Sequence, residues 1–166
     1  MDSDFDAAVL GLALPPAAEA ALREAGLHRS DESRTMAALM RASAAAPDHP
    51  AVLIAFYRHH FYGHRLALAR GVARRALVVA ATALGLPSVW REIPAKPLPG
   101  ARYEPAARFL LFTLKGYAYL SLRLDDPVEA RDALALLKAL DPGDHVGASV
   151  LEAVRQRALA GDVDDA

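Results

Sequence analysis

Proline placement constrains this chain more than any other feature. Prolines stand at positions 15, 16, 47, 50, 87, 94, 97, 99, 105, 127 and 142. A proline inside a helix removes a backbone hydrogen bond and clashes with the preceding turn, so long helices are confined to the intervals between them. Those intervals are filled with helix-forming residues. Alanine (37) and leucine (25) make up more than a third of the 166 residues, and alanine is the best helix former and is depleted in strands. The chain is therefore predicted to be all-α, a single domain over 1–166.

The punctuation sets the elements. A first helix is predicted from about Asp4 to Leu14, stopped by Pro15-Pro16, and a second from Pro16 to Gly26. Ser30-Asp31-Glu32 opens a third, with Met36, Leu39 and Met40 at helical spacing, that stops before Pro47. Asp48 and Pro50 open a fourth carrying Leu53, Phe56, Tyr57, His60 and Phe61, and a fifth runs from about His64 to Leu84. Residues 86–104 contain Pro87, Pro94, Pro97 and Pro99 and abut Pro105, which predicts a long non-helical loop; loops of that length are uncommon in compact domains and are usually functional or disordered. A sixth helix spans about Pro105 to Arg123, a seventh runs from Asp126-Pro127 to Asp141-Pro142-Gly143, and Asp144 caps a last one to Ala160. Short connections make successive helices antiparallel neighbours. The domain thus divides into N-terminal capping helices (1–46), a hairpin (47–85), the Pro-rich loop (86–104), a second hairpin (105–142) and a C-terminal capping helix (143–161).

Several classes of protein are excluded or disfavoured. With 54% hydrophobic residues and a net charge of -1 the chain is not disordered, and with no cysteine it has neither disulfides nor thiolate metal sites. The start, Met1-Asp2-Ser3-Asp4-Phe5-Asp6, is acidic where a signal peptide is basic. The longest apolar run, Ala76 to Leu86, is about half the ~20 residues that cross a bilayer. A cytoplasmic protein without a membrane span is expected. No Gly-rich phosphate loop, G-x-S-x-G or H-E-x-x-H occurs, so no enzyme and no cofactor is expected.

The near-zero charge is an average. Residues 1–48 hold eight acids and four bases, residues 49–91 hold six arginines and no acid, and residues 92–166 hold twelve acids and nine bases. The basic block consists of Arg58, Arg65, Arg70, Arg74, Arg75 and Arg91. Two roles fit it: pairing with the acidic flanks of the same chain, or docking of a protein partner with an acidic segment through guanidinium–carboxylate bonds. Nucleic acid is disfavoured by the overall charge and the lack of a stacked aromatic platform. His59, His60 and His64 are the one metal-like grouping. On an unbroken helix His60 and His64 would share a face, but Gly63 interrupts it and Arg58 and Arg65 repel a cation.

Phe112, Gly116 and Tyr119, then Ala130, Leu134 and the closing Ala139-Leu140-Asp141-Pro142, resemble a tetratricopeptide repeat. Lys115 departs from the pattern, standing where leucine is usual. A second copy is read between Pro47 and Ala76, with Leu53 and Phe56 in the large positions and Ala69 and Ala76 in the close-contact ones. Ala69 and Ala130 are 61 residues apart against a period of about 34, the excess falling in the fifth helix and the Pro-rich loop. The resemblance implies an α-α superhelix of antiparallel hairpins. It further implies a ligand groove lined by the first helix of each unit, presenting Ile54, Arg58, Phe61 and Tyr62 from one and Thr113 and Tyr117 from the other. Arg70 and Arg74 of the basic hairpin extend the expected docking surface. Tyr57 to His64 together with Gly116-Tyr117-Ala118-Tyr119-Leu120 is also similar to small tetratricopeptide-type accessory proteins of bacterial nitrogen-fixation systems. The expected function is a non-catalytic protein-binding scaffold or adaptor. The alternative is an accessory factor for metalloenzyme maturation that uses the His59/His60/His64 cluster.

Overall fold

The computed structural model describes residues 13–164, with side chains to residue 161. The expected first helix, Asp4 to Leu14, lies outside the described residues except at its last two positions. Among the described residues the chain is all-α and contains no strand. The helices are α1 (Pro16–Leu27), α2 (Glu32–Ala45), α3 (Pro50–Tyr62), α4 (Leu66–Ala83), α5 (Pro105–Arg123), α6 (Pro127–Leu140) and α7 (Ala148–Asp164).

Proline starts four of these helices. Pro16, Pro50, Pro105 and Pro127 occupy the first turns of α1, α3, α5 and α6, where a missing N–H costs nothing and a fixed φ favours the helix. Asp31 caps α2 by accepting from the Arg34 amide at 3.1 Å. His49, and not the expected Asp48, caps α3, its Nδ1 accepting from the Ala51 amide at 3.1 Å. Asp144 accepts from the amide and hydroxyl of Ser149, the second residue of α7, which begins only at Ala148 and runs past Gly161.

Two turns between helices share one geometry. At the end of α3, His64 adopts φ 57°, its amide bonds to Phe61 O at 3.1 Å and the Arg65 amide bonds to His60 O at 2.8 Å. At the end of α5, Asp125 adopts φ 55°, with Asp125 N to Leu122 O at 3.2 Å and Asp126 N to Ser121 O at 2.9 Å. This is the paired-bond helix ending that reverses a chain through one left-handed residue. It starts α4 at Leu66, two residues later than His64, where the sequence reading had placed it. The two turns are 61 residues apart, the same offset as Ala69 and Ala130, both of which are fully buried. α3–α4 and α5–α6 are therefore two antiparallel hairpins of one design.

The main core lies between these hairpins. α5 is its centre, with Phe109, Leu110, Leu111, Leu114, Tyr117 and Leu120 all at most 2% exposed. Alanines of α4 (Ala69, Ala73, Ala76, Ala80) are buried against it, and their small side chains let the helices approach closely. α1 and α2 form smaller alanine-rich clusters of their own that reach α3 through Val52, Ala55 and Phe56. Residues 86–104 form an irregular segment with one 3-10 turn, Trp90–Glu92. It is fastened to α6: Leu98 donates its amide to Leu140 O at 2.9 Å, and Ile93 is buried in the main core.

Candidate functional site

α3 and α5 run in the same direction. Tyr57 of α3 lies over Gly116 of α5, and one turn later Phe61 meets Tyr119 with ring centroids 6.0 Å apart. A groove opens between them with a volume of about 270 Å³. Its walls are Leu53, Ile54, Tyr57 and Phe61 of α3 and Phe109, Phe112, Thr113, Gly116 and Tyr119 of α5. Val72, Ala73 and Ala76 of α4 contribute from behind, and Leu151 of α7 borders it. Spacings of three and four residues along α3 (54, 57, 61) and α5 (109, 112, 116, 119) put these side chains on one face of each helix.

The groove is almost wholly apolar. Lys115 is the one charged residue that lines it, and its ammonium donates to Val146 O at 2.6 Å. The Tyr57 hydroxyl is pushed up from 10.0 to about 12, first by burial and then by the neighbouring phenols of Tyr119 and Tyr62, so it stays protonated over the physiological range. Its oxygen fixes the identity of residue 116: a Cβ there would stand 2.7 Å from it. Arg58 projects from the α3 face between Ile54 and Phe61 by helical spacing. On α5, Arg108 stacks on the Phe112 ring at 5.3 Å and Arg123 bonds the Tyr119 hydroxyl at 2.8 Å. The apolar walls thus carry cations along both sides.

Three of the sequence-expected groove residues, Ile54, Phe61 and Thr113, line this cavity. Arg58 is half-buried beside it and Tyr62 is 75% exposed at the end of α3. The placement of Tyr117, Arg70 and Arg74 is corrected. Tyr117 is fully buried on the opposite side of α5, where its hydroxyl donates to Glu129 of α6 and accepts from Arg74. Arg70 pairs with Asp126 at 2.8 Å. Three more arginines of the basic block pair with acids: Arg75 with Asp48, Arg65 with Glu32, and Arg91 with both Glu129 and Asp132. The positive hairpin is largely neutralised by the acidic flanks. Sequence reading missed Tyr57, Phe112 and Tyr119 as walls of the groove, although they stand three or four residues from Ile54 and Gly116 and so share their helix faces.

The Pro-rich loop stays out of the groove, since none of residues 86–104 lines it. Trp90 packs edge-on against Tyr117 with centroids 5.7 Å apart, and Arg91 lies over Trp90 at 4.5 Å. The loop therefore seals the α5–α6 side. Burial pushes the Glu129 carboxyl up, but hydrogen bonds from Tyr117 and Arg91 outweigh it and hold the group below the usual range. Asp132 is held low chiefly by Arg91 and then by Arg131.

The histidine cluster is poorly suited to a metal. His64 sits in the left-handed turn beyond the helix end. Arg65 donates to His60 Nδ1 at 3.3 Å and occupies the lone pair a metal would need. His59 faces Glu32, with Nε2 at 3.2 Å. Burial first, then the charges of His59 and Arg65, lower the His60 pKa. Among the described residues no group of three or more His, Asp or Glu side chains is arranged to hold a metal ion. Nor, among those residues, is any helix long and apolar enough to cross a membrane.

No protein-family model matches the chain, and no solved structure matches it. It is similar to the uncharacterized 19.8 kDa protein in the nifW 5′ region of Azotobacter chroococcum mcd 1, with 37% identity over 150 residues, which cover 89% of this chain and 84% of that protein. At that identity and coverage, the chain belongs to the same family as the Azotobacter protein.

Proposed function

We propose that the chain is a non-catalytic, cytoplasmic docking module with a tetratricopeptide-like architecture, and that a segment of a protein partner binds in the groove between α3 and α5. The observation that carries this reading is the groove itself: about 270 Å³ of apolar wall contributed by two helices running in the same direction, with cationic side chains along its edges. Such a surface suits a partner segment that inserts bulky apolar side chains and offers carboxylates at its margins. The repeated hairpin turn and the close contacts at Ala69, Gly116 and Ala130 support the tetratricopeptide-like reading. The relative lies in a nifW 5′ region, a setting that fits an accessory role in nitrogen fixation as the context of this docking. In that role the chain would act by holding a protein component in its groove, because Arg65 stands on the ring that a metal would use.

The decisive variant is Thr113→Trp. Thr113 lines the groove and is half-buried, so an indole there fills the space while the Arg70–Asp126 and Arg91–Glu129 pairs stay intact. Tagged protein is recovered from the source cells after cross-linking, and its partners are identified by mass spectrometry. A partner captured by the wild type is expected to be lost with Thr113→Trp and reduced with Arg58→Glu, at unchanged helical circular dichroism. Equal capture by all three overturns the groove as the docking site. Recovery of a nitrogen-fixation component separates the accessory role from that of a general adaptor.

A further inference from the structure

Neither helix that walls the groove contains an acid: α3 and α5 hold no Asp or Glu. The three basic residues of α5, Arg108, Lys115 and Arg123, share a face with Phe112 and Tyr119. Their order, Arg108-Phe112-Lys115-Tyr119-Arg123, advances by three or four residues at each step, which keeps to one stripe of a helix. Cation and aromatic alternate along it, and each member is half-buried or exposed. Among the described residues none of the three cations pairs with a carboxylate. Arg108 lies over Phe112 and donates to Arg102 O, Lys115 donates to Val146 O, and Arg123 donates to the Tyr119 hydroxyl. The arginines of the preceding hairpin are placed differently: Arg65, Arg70 and Arg75 each meet an acid of the chain. The open positive charge thus stands on α5, within a stretch of sequence that is acidic on average.

The spacing of the stripe selects the shape of what it can hold. Arg108 and Lys115 are separated by ~10 Å along the helix axis, and Lys115 and Arg123 by ~12 Å. A ligand that meets all three presents carboxylates at that repeat, on one face, with apolar groups midway. An extended peptide covers ~10 Å in three residues, and because its side chains alternate, the second carboxylate points away. An α-helix covers ~10.5 Å in seven residues, which is two turns, and returns to the same face. Laid nearly parallel to α5, a helix with acids at i, i+7 and i+14 sets them against the cations. Large apolar side chains at i+4 and i+11 then meet Phe112 and Tyr119.

We propose that what docks on α5 is an amphipathic α-helix of a partner protein, with an acidic residue at every seventh position and a bulky apolar one between. The proposal rests on the docking reading above and names the chemistry of the docked segment. The probe is a synthetic peptide of sixteen residues, titrated with the full chain and followed by fluorescence anisotropy. It carries glutamate at its first, eighth and fifteenth positions, leucine at its fifth and twelfth, and alanine or glutamine elsewhere. Binding is expected below ~100 μM, and ~10-fold weaker in Lys115→Glu and in Arg123→Glu at unchanged helical circular dichroism. Arg75→Glu, which reverses a charge on α4 outside the groove, is expected to leave it unchanged. Exchanging the central glutamate of the peptide for lysine should restore binding to Lys115→Glu. Equal binding of a peptide with the same composition but its glutamates and leucines scattered around the helix overturns the proposal. So does equal binding of a peptide whose helix is broken by two prolines, or no binding of the peptide in register. Tighter binding of single-stranded oligodeoxythymidine assigns the cations to phosphates and overturns it too. If the peptide in register fails while Thr113→Trp still loses the native partner, the helical register fails alone. If that peptide binds while Thr113→Trp keeps the native partner, the preference of the stripe stands and the docking reading fails.

Discussion

At the scale of single residues, two positions are decided by less than the volume of a methyl group or by one dihedral angle. Gly116 sits mid-helix in α5, where alanine normally gains about 1 kcal/mol. Here the added Cβ would press on the Tyr57 hydroxyl at 2.7 Å, and overpacking of a fitted contact costs ~1–3 kcal/mol. Gly116→Ala is expected to lower stability by about 1 kcal/mol net in urea unfolding, and Tyr57→Phe in the same chain to recover most of the loss. Additive costs in the double variant would place the clash elsewhere. His64 presents the opposite case. It holds φ 57° with a Cβ, a conformation that costs non-glycine residues ~1–2 kcal/mol. His64→Gly should therefore raise the urea midpoint, corresponding to about 1 kcal/mol. A lower midpoint would show that the imidazole makes contacts that outweigh the strain.

At the scale of elements, the Pro-rich segment behaves as a strap and not as an insertion. Prolines deprive it of internal hydrogen bonds, so its order comes from what it grips: Leu140 O through Leu98, Tyr117 through Trp90, and the carboxylates of α6 through Arg91. Arg91→Ala is expected to increase hydrogen exchange across 86–104 while leaving α3 and α4 unchanged. A pH signature accompanies it. Glu129 and Asp132 are held below their ordinary range in the folded chain, so around and below pH ~4 the unfolded chain binds more protons. The stability they contribute is present above the unfolded-state values and is lost as pH falls through the folded ones. Removing Arg91 brings both carboxyls back toward their ordinary range and should flatten the acid limb of stability against pH. An acid limb as steep as that of the wild type would mean that Tyr117 and Arg131 set those values alone.

At the scale of the whole molecule, burial is uneven. α3 to α6 share one large core, whereas α1 and α2 bury mainly alanine in small clusters. Little apolar area per residue means a low local opening energy, so native-state exchange should open α1–α2 before α4–α6; equal protection would show that the N-terminal pair is part of the same cooperative unit. The order of helices, their proline starts and the 61-residue offset of the two hairpins were legible along the chain, because capping and helix breaking depend on residues a few positions apart. Ile54, Phe61 and Thr113 were expected in a groove through the resemblance to the repeat, and they line one. Tyr117 was expected with them and does not: spacing says which residues share a face, and only the packing of α6 against α5 decides that its face is covered. The same holds for the arginines. Composition located a basic block between acidic flanks, but whether Arg70 meets Asp126 or a partner depends on distances across 56 residues of sequence. Local interactions, read over one or two turns, determined an all-α chain of antiparallel hairpins. Which apolar face stays open, and which charges are neutralised within the chain, was decided by long-range packing in the tertiary structure.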